Sequence, residues 1–271
     1  QVEAFPAQPD DLLIATYPKS GTMWLSEILD MTYHDRDVEK CRRDAIFNQV
    51  PFLEMKAPKM LSGIKLLEKT PSPQLVKTHL PVQLLPTSFQ DKDCKVMPWV
   101  PPTSLPDVVV SYYGFYQMAQ MHPNPGTLGE FLKTFMADKG CMAYGSWYEH
   151  VRGGWEKKQE KQLLYVFYED MKKDLQWDVQ KILRFLGKEV VEGTMARILH
   201  HTSFQEMRKN LATKYETMPT TLMDHHQLDL RKGGVRPAGW EEPFTVVQNE
   251  RFDQHYWEHM VGSGFRFQIE V

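Results

Sequence analysis

Cysteine is scarce in this chain, with three among 271 residues, at positions 41, 94 and 141. An odd number at unrelated spacings makes no disulfide framework and suits a reducing compartment. The cysteines also lack the CxxC spacing of thiolate zinc sites. His255 and His259 stand four apart but have no third ligand or Glu-x-x-His context, so no metal is predicted. Long apolar runs are missing: nothing approaches the ~20 residues of a membrane span, and no signal peptide is visible. Positive charge is not in excess, since 32 Lys and Arg against 35 Asp and Glu leave a net charge of −3. That argues against a general nucleic-acid binder, and any anion site must concentrate charge locally. Repeats, low-complexity tracts and domain-separating linkers are absent as well, so residues 1–271 read as one domain.

What is present is concentrated in Asp11 to Tyr33, DLLIATYPKSGTMWLSEILDMTY. Leu12 to Tyr17 is an apolar run of the length of a buried parallel strand. Pro18-Lys19-Ser20-Gly21-Thr22 breaks it, and Met23, Trp24, Ile28 and Met31 then follow at helical spacing. A strand, a tight turn and a helix aim backbone N–H groups and a helix dipole at an anion. Gly21 permits close backbone approach. Ser20 and Thr22 add hydroxyls and Lys19 adds charge. Walker A, GxxxxGK[ST], is absent, and so is GxGxxG. On loop chemistry alone, a phosphate-binding loop and a plain strand–helix turn both stay open.

Gln74 to Thr78 reads as a second strand running into Lys77-Thr78-His79, and ligands of open α/β sheets sit at strand carboxyl ends. His79 there is either structural or catalytic. Lys95 to Val100 makes a poor third strand because of Pro98. Asp107 to Met121 is predicted helical with Asp107 as N-cap. Further helices are predicted over Thr127 to Met136 and over Ser146 to Lys158, the latter interrupted by Gly153-Gly154. Leu163 to Phe167 reads as a strand. Val179, Ile182, Leu183 and Leu186 form a core helical stripe, and Phe252, Tyr256 and Met260 mark the last helix.

The segment TYPKSGTMW resembles the 5′-phosphosulfate loop of the cytosolic sulfotransferases, which use 3′-phosphoadenosine 5′-phosphosulfate (PAPS). The resemblance continues in order through VKTHLPVQLLP, VSYYGFYQMA, AYGSWYEHV, FYEDMKKD, HHTSFQEM, the RKG at Arg231 and FTVVQNERFD. The flavour is that of the phenol and oestrogen branch. It implies an α/β fold, one domain with a central parallel sheet flanked by helices, and a cytoplasmic enzyme. That enzyme would move a sulfuryl group from PAPS to the hydroxyl of a small phenol, a steroid or a related xenobiotic, leaving PAP. It also implies a further N-terminal segment before Gln1.

By the same resemblance His79 is the general base, Lys19 stabilises the leaving phosphate, and Lys77 sits over the sulfuryl oxygens. The loop Lys19, Ser20, Gly21, Thr22, Met23 and Trp24 would hold the 5′-phosphate. Trp24 would stack on the adenine with Phe204, beside Tyr168 and Thr202. Ser111, Arg231, Lys232 and Gly233 would grip the 3′-phosphate, and Phe52, Met55, Phe115 and His122 would line the acceptor slot.

Some positions depart from the family pattern. Where an ARN segment is usual the chain reads VPPTSLPD, without a basic residue. One lost charge-assisted contact costs about 1.5–3 kcal/mol, and Arg236 is a candidate replacement. Met23 stands for a usual Thr. Glu241 stands for a usual Lys in the dimer signature, which puts a homodimer by that route in doubt. Two other functions compete. A non-catalytic binder of a nucleotide or hydrophobic ligand is opposed by Lys19, Lys77 and His79 occurring together. A nucleotide kinase is opposed by the missing Walker A lysine.

Overall fold

The computed structural model describes residues 1–34, 37–100, 105–137, 142–157, 162–189, 192–213, 217–224 and 244–263. Four strands form one parallel sheet: β1 (Leu12–Thr16), β2 (Leu75–Thr78), β3 (Lys95–Val100) and β4 (Val166–Phe167), in the order β2-β1-β3-β4. The main helices are α1 (Thr22–Tyr33), α2 (Leu105–Met118), α3 (Leu128–Phe135), α4 (Trp147–Glu156), α5 (Tyr168–Lys173), α6 (Leu175–Leu186), α7 (Glu192–His201), α8 (Phe204–Lys209) and α9 (Val246–Met260). Short helical turns at Val38–Cys41, Ile46–Gln49 and Gly63–Leu67 punctuate the stretch between α1 and β2.

Strand alternation splits the core between two faces. Leu12 and Ile14 pack with Leu25 and Ile28 of α1, Ile182 of α6 and Ile198 of α7. Leu13 and Val76 turn the other way, onto Phe5, Leu53 and Phe89. A further cluster joins Tyr17, just past β1, to Tyr112 of α2, Phe131 of α3, Trp147 of α4 and Phe252 of α9.

Several sequence expectations are corrected. The stretch 95–100 is a full strand between β1 and β4. Helix α2 starts at Leu105, so Asp107 lies in its first turn and does not cap it, and it ends at Met118. Pro106 fits that first turn because no N–H is needed there. Helix α4 runs unbroken through Gly153 and Gly154. The fourth strand is only Val166–Phe167, preceded by a single bridge from Leu163 to Val96.

Register places the site. Ala15 pairs with Thr78, so Thr16 at the end of β1 stands beside His79 just past β2. The loop after β1 and the loop after β2 therefore open at the same carboxyl edge of the sheet.

Candidate active site

The loop after β1 turns through the left-handed region at Lys19 (φ 64°) and at Gly21 (φ 98°, ψ 16°). Gly21 is the N-cap of α1, and its helix has no side-chain cap. The first-turn N–H groups of α1 and the positive end of its dipole thus face the same way as the loop. The Lys19 ammonium lies 5.0 Å from the Phe115 ring centroid.

A cavity of about 750 Å³ opens at this edge, within the usual size of small-molecule sites. Its lining includes Lys19, Ser20, Gly21, Thr22 and Met23, with Ser111 of α2 and Tyr168 of α5. The apolar Phe52, Met55 and Phe115 line it too, together with His122 and His79. Lys19 and His79 therefore share one cavity.

The imidazole of His79 is fixed in place. Its Nδ1 lies 2.8 Å from the Thr16 carbonyl and 2.9 Å from Thr16 Oγ1. A carbonyl only accepts, so Nδ1 carries the proton and Nε2 keeps its lone pair. The ring packs against Phe52 at 4.6 Å and Tyr144 at 5.2 Å between centroids. Its backbone N–H donates to Glu54 Oε1 (2.8 Å), and Glu54 Oε2 accepts from Thr78 Oγ1 (2.8 Å). Burial pulls the His79 pKa down to about 3. The Thr16 carbonyl opposes that shift, and His150, Lys77 and Lys19 add to it. The ring is therefore neutral at pH 7, the state a base needs.

Other predicted residues lie off the cavity wall. Lys77 is fully buried. Its Nζ is 4.6 Å from the Phe52 ring centroid and 3.5 Å from the Ile46 carbonyl, behind Phe52 and not over the cavity. Burial lowers the Lys77 pKa to about 7, against the pull of Glu27 and Glu54. Trp24 meets Tyr168 edge-on at 5.8 Å and donates from Nε1 to the Thr202 carbonyl (2.9 Å). The Thr202 hydroxyl donates to the Ile198 carbonyl (2.8 Å). Phe204 opens α8 and is 72% exposed. Arg231, Lys232 and Gly233 lie outside the described residues, as do Arg236 and Glu241.

The sequence reading missed several wall residues. Tyr144 lines the cavity at φ 72°, an unusual backbone state for a bulky residue. Met121, Met218 and Met223 join Met55 in the lining, soft side chains that can re-pack. Lys172 lines the cavity one helical turn after Tyr168; spacing of four from a singled-out residue was the available signal. Glu54 gave no signal short of the fold.

The His255–His259 pair is packing. The rings stack at 4.1 Å, and His255 Nδ1 sits 3.0 Å from the Tyr148 hydroxyl. Among the described residues one grouping has ligand character, Asp30, His34 and Cys41. There the Asp30 carboxylate already takes two hydrogen bonds from Arg43, at 3.0 and 3.1 Å. Cys41 and Cys94 are free and buried. No helix among the described residues is long and apolar enough to cross a membrane.

Known proteins resemble the chain over its whole length. Mouse sulfotransferase 1 family member D1 is 49% identical, over 100% of this chain and 90% of that protein. Human sulfotransferase 1E1 is 47% identical, over 100% and 90% respectively. Mouse sulfotransferase SULT7A1, solved complexed with PAP, superposes with a TM-score of 0.73 at 31% identity, covering 97% of this chain and 89% of that one. Retinol dehydratase, solved with androsterone and inactive cofactor PAP, shares the fold with a TM-score of 0.84 at 22% identity, covering 99% and 86%. The sulfotransferase domain family matches residues 9–264, and the chain belongs to that family.

Proposed function

We propose that this cavity moves a sulfuryl group from PAPS to the hydroxyl of a small phenol or steroid. The observation that carries the reading is that Lys19 and a neutral, tautomer-fixed His79 open on one cavity that Phe52, Met55 and Phe115 also line. Relatives named as sulfotransferases, and a 31% identical sulfotransferase solved with PAP, support it.

The donor supplies an activated sulfur bonded to a phosphate oxygen. Backbone N–H groups of Ser20 to Trp24 hold that phosphate at the start of α1. The acceptor hydroxyl lies between Phe52 and Phe115, and His79 Nε2 takes its proton as its oxygen attacks sulfur. Lys19 stabilises the bridging oxygen as its bond to sulfur breaks and PAP leaves. Lys77 contributes its field from behind Phe52, without direct contact. Trp24 packs on the adenine with Phe204, Thr202 acts by holding Trp24, and Tyr168 flanks the base. Ser111, Arg231, Lys232 and Gly233 hold the 3′-phosphate. His122 and the methionine-rich wall shape the acceptor slot, which favours a range of flat apolar acceptors. No metal is assigned a role. The enzyme works in the cytoplasm as one domain, and the exposed Val246 and Val247 support self-association.

The test is sulfation of 1-naphthol with PAPS. The protein should form naphthyl sulfate, and His79→Ala should lose about 10²–10⁴-fold in kcat while keeping its affinity for PAP. Binding of PAP without transfer at any donor concentration would make the protein a binder and end the catalytic reading.

A further inference from the structure

The Thr16 carbonyl fixes the tautomer of the base, and its hydroxyl, with no role described so far, sits at a junction. It is fully buried at the carboxyl end of β1. Its Oγ1 lies 2.9 Å from Thr22 Oγ1 on one side and 2.9 Å from His79 Nδ1 on the other. Thr22 is the first residue of α1 and lines the cavity. We propose that Thr16 is a positioning residue that ties the base to the anion loop, so that phosphate held by the loop strengthens the base. The inference rests on the proposed function.

Proton accounting sets the direction of the row. His79 Nδ1–H is shared between the Thr16 carbonyl and Thr16 Oγ1, so Oγ1 accepts on that side. A threonine hydroxyl has one proton. The proton of Thr16 is then left for Thr22 Oγ1, because Nδ1 already carries hydrogen. The proton of Thr22 is left for the cavity. This is the arrangement that places every buried donor. It points all three donors toward the site of the phosphate.

An anion that accepts from Thr22 polarises the whole row. The pull on Nδ1–H strengthens, and the Nε2 lone pair becomes more basic. The base would thus reach full strength only when the sulfuryl donor is in place. Other groups facing His79 lack this link. Lys19, Lys77 and His150 disfavour its charged form, while Glu54 and Tyr144 hold the backbone and ring around it.

The test compares the wild type with Thr16→Val and Thr16→Ser. Valine keeps the shape and the backbone carbonyl, so the tautomer survives and the row is cut. In the wild type, adding PAP should move the His79 Nδ1–H proton resonance downfield; in Thr16→Val it should not move. At saturating PAPS the valine variant should lose about tenfold in kcat, one hydrogen bond's worth. The acid limb of its kcat–pH profile should move to lower pH. Serine should restore both. Thr22→Val cuts the row at its other end and serves where Thr16→Val does not fold. An unaltered PAP-induced shift and profile in the valine variant, with the wild type active, would overturn this inference alone. A wild type that moves no sulfate from PAPS to 1-naphthol would instead sink the proposed function.

Discussion

His79 owes its neutrality to its position more than to its chemistry. Histidine has an unperturbed pKa of ~6.5, and burial takes His79 to about 3 and His150 to about 4. Both shifts are depressions, so below pH ~6.5 the unfolded chain binds protons that the native state refuses. Their contribution to stability is complete above pH 6.5 and is lost as pH falls toward 4 and 3. Glu54, raised by burial, acts in the opposite sense at the acid end. The urea midpoint should therefore fall between pH 7 and pH 5, and His150→Phe, which keeps a ring against Tyr17, should flatten that slope. An equal slope in wild type and variant would contradict a neutral buried His150. Lys19 and His79 were legible in the sequence because each sits in a loop at a strand end. Lys77 lies off the cavity wall because strand alternation outweighs proximity: it pairs with Ile14, on the α1 side of the sheet. Thr16 and Glu54 act through contacts 63 and 25 residues away along the chain, visible only once β1 and β2 are in register.

Helices and strands show where local rules were overruled. Pro98 argued against a strand, since it has no N–H for a ladder. The Val96 N–H donates to the Gln162 carbonyl, so even-numbered donors of β3 face β4. The missing N–H of Pro98 falls on that side, in the gap between the Leu163 bridge and the start of β4 at Val166. The ladder to β1 keeps all its donors. The glycine pair in α4 gives a second case. A Cβ on Gly153 would lie 2.8 Å from Gln83 Nε2 and 3.1 Å from Val82 Cγ1, whereas one on Gly154 meets nothing within 4 Å. Gly153 thus lets α4 close on the turn Val82–Leu84, three residues beyond the base. Gly154 is an ordinary helical glycine, and alanine there should stabilise by about 0.5–1 kcal/mol. Gly154→Ala should raise the thermal midpoint, while Gly153→Ala should lower it and reduce kcat by displacing the turn after His79. A rise in both variants would show that the close approach is not needed.

At the scale of the whole molecule, the parallel sheet was legible because short apolar runs alternate with helical stripes, and the shared carboxyl edge follows from that pattern. Strand order and the cavity's methionine wall were not, since Met218 and Met223 reach it from a loop with no periodic signal. The remaining question of assembly is set by the start of α9. Thr245 and Gln248 form a capping box that fixes this end, with Gln248 N–H donating to Thr245 Oγ1 at 3.2 Å. Val246 and Val247 then stand 72% and 71% exposed. Burying one such side chain is worth about 1.5–3 kcal/mol, and a symmetric contact would bury each of them twice. Against this stands an association cost of at least ~4 kcal/mol, and the family resemblance implies Lys at the position where this chain has Glu241. The balance predicts a weak dimer, in equilibrium with monomer at micromolar concentration. Sedimentation should show that equilibrium for the wild type, monomer for Val247→Glu, and a tighter dimer for Glu241→Lys. If all three sediment as monomers at every concentration, the exposed valines serve some other contact and the molecule works alone.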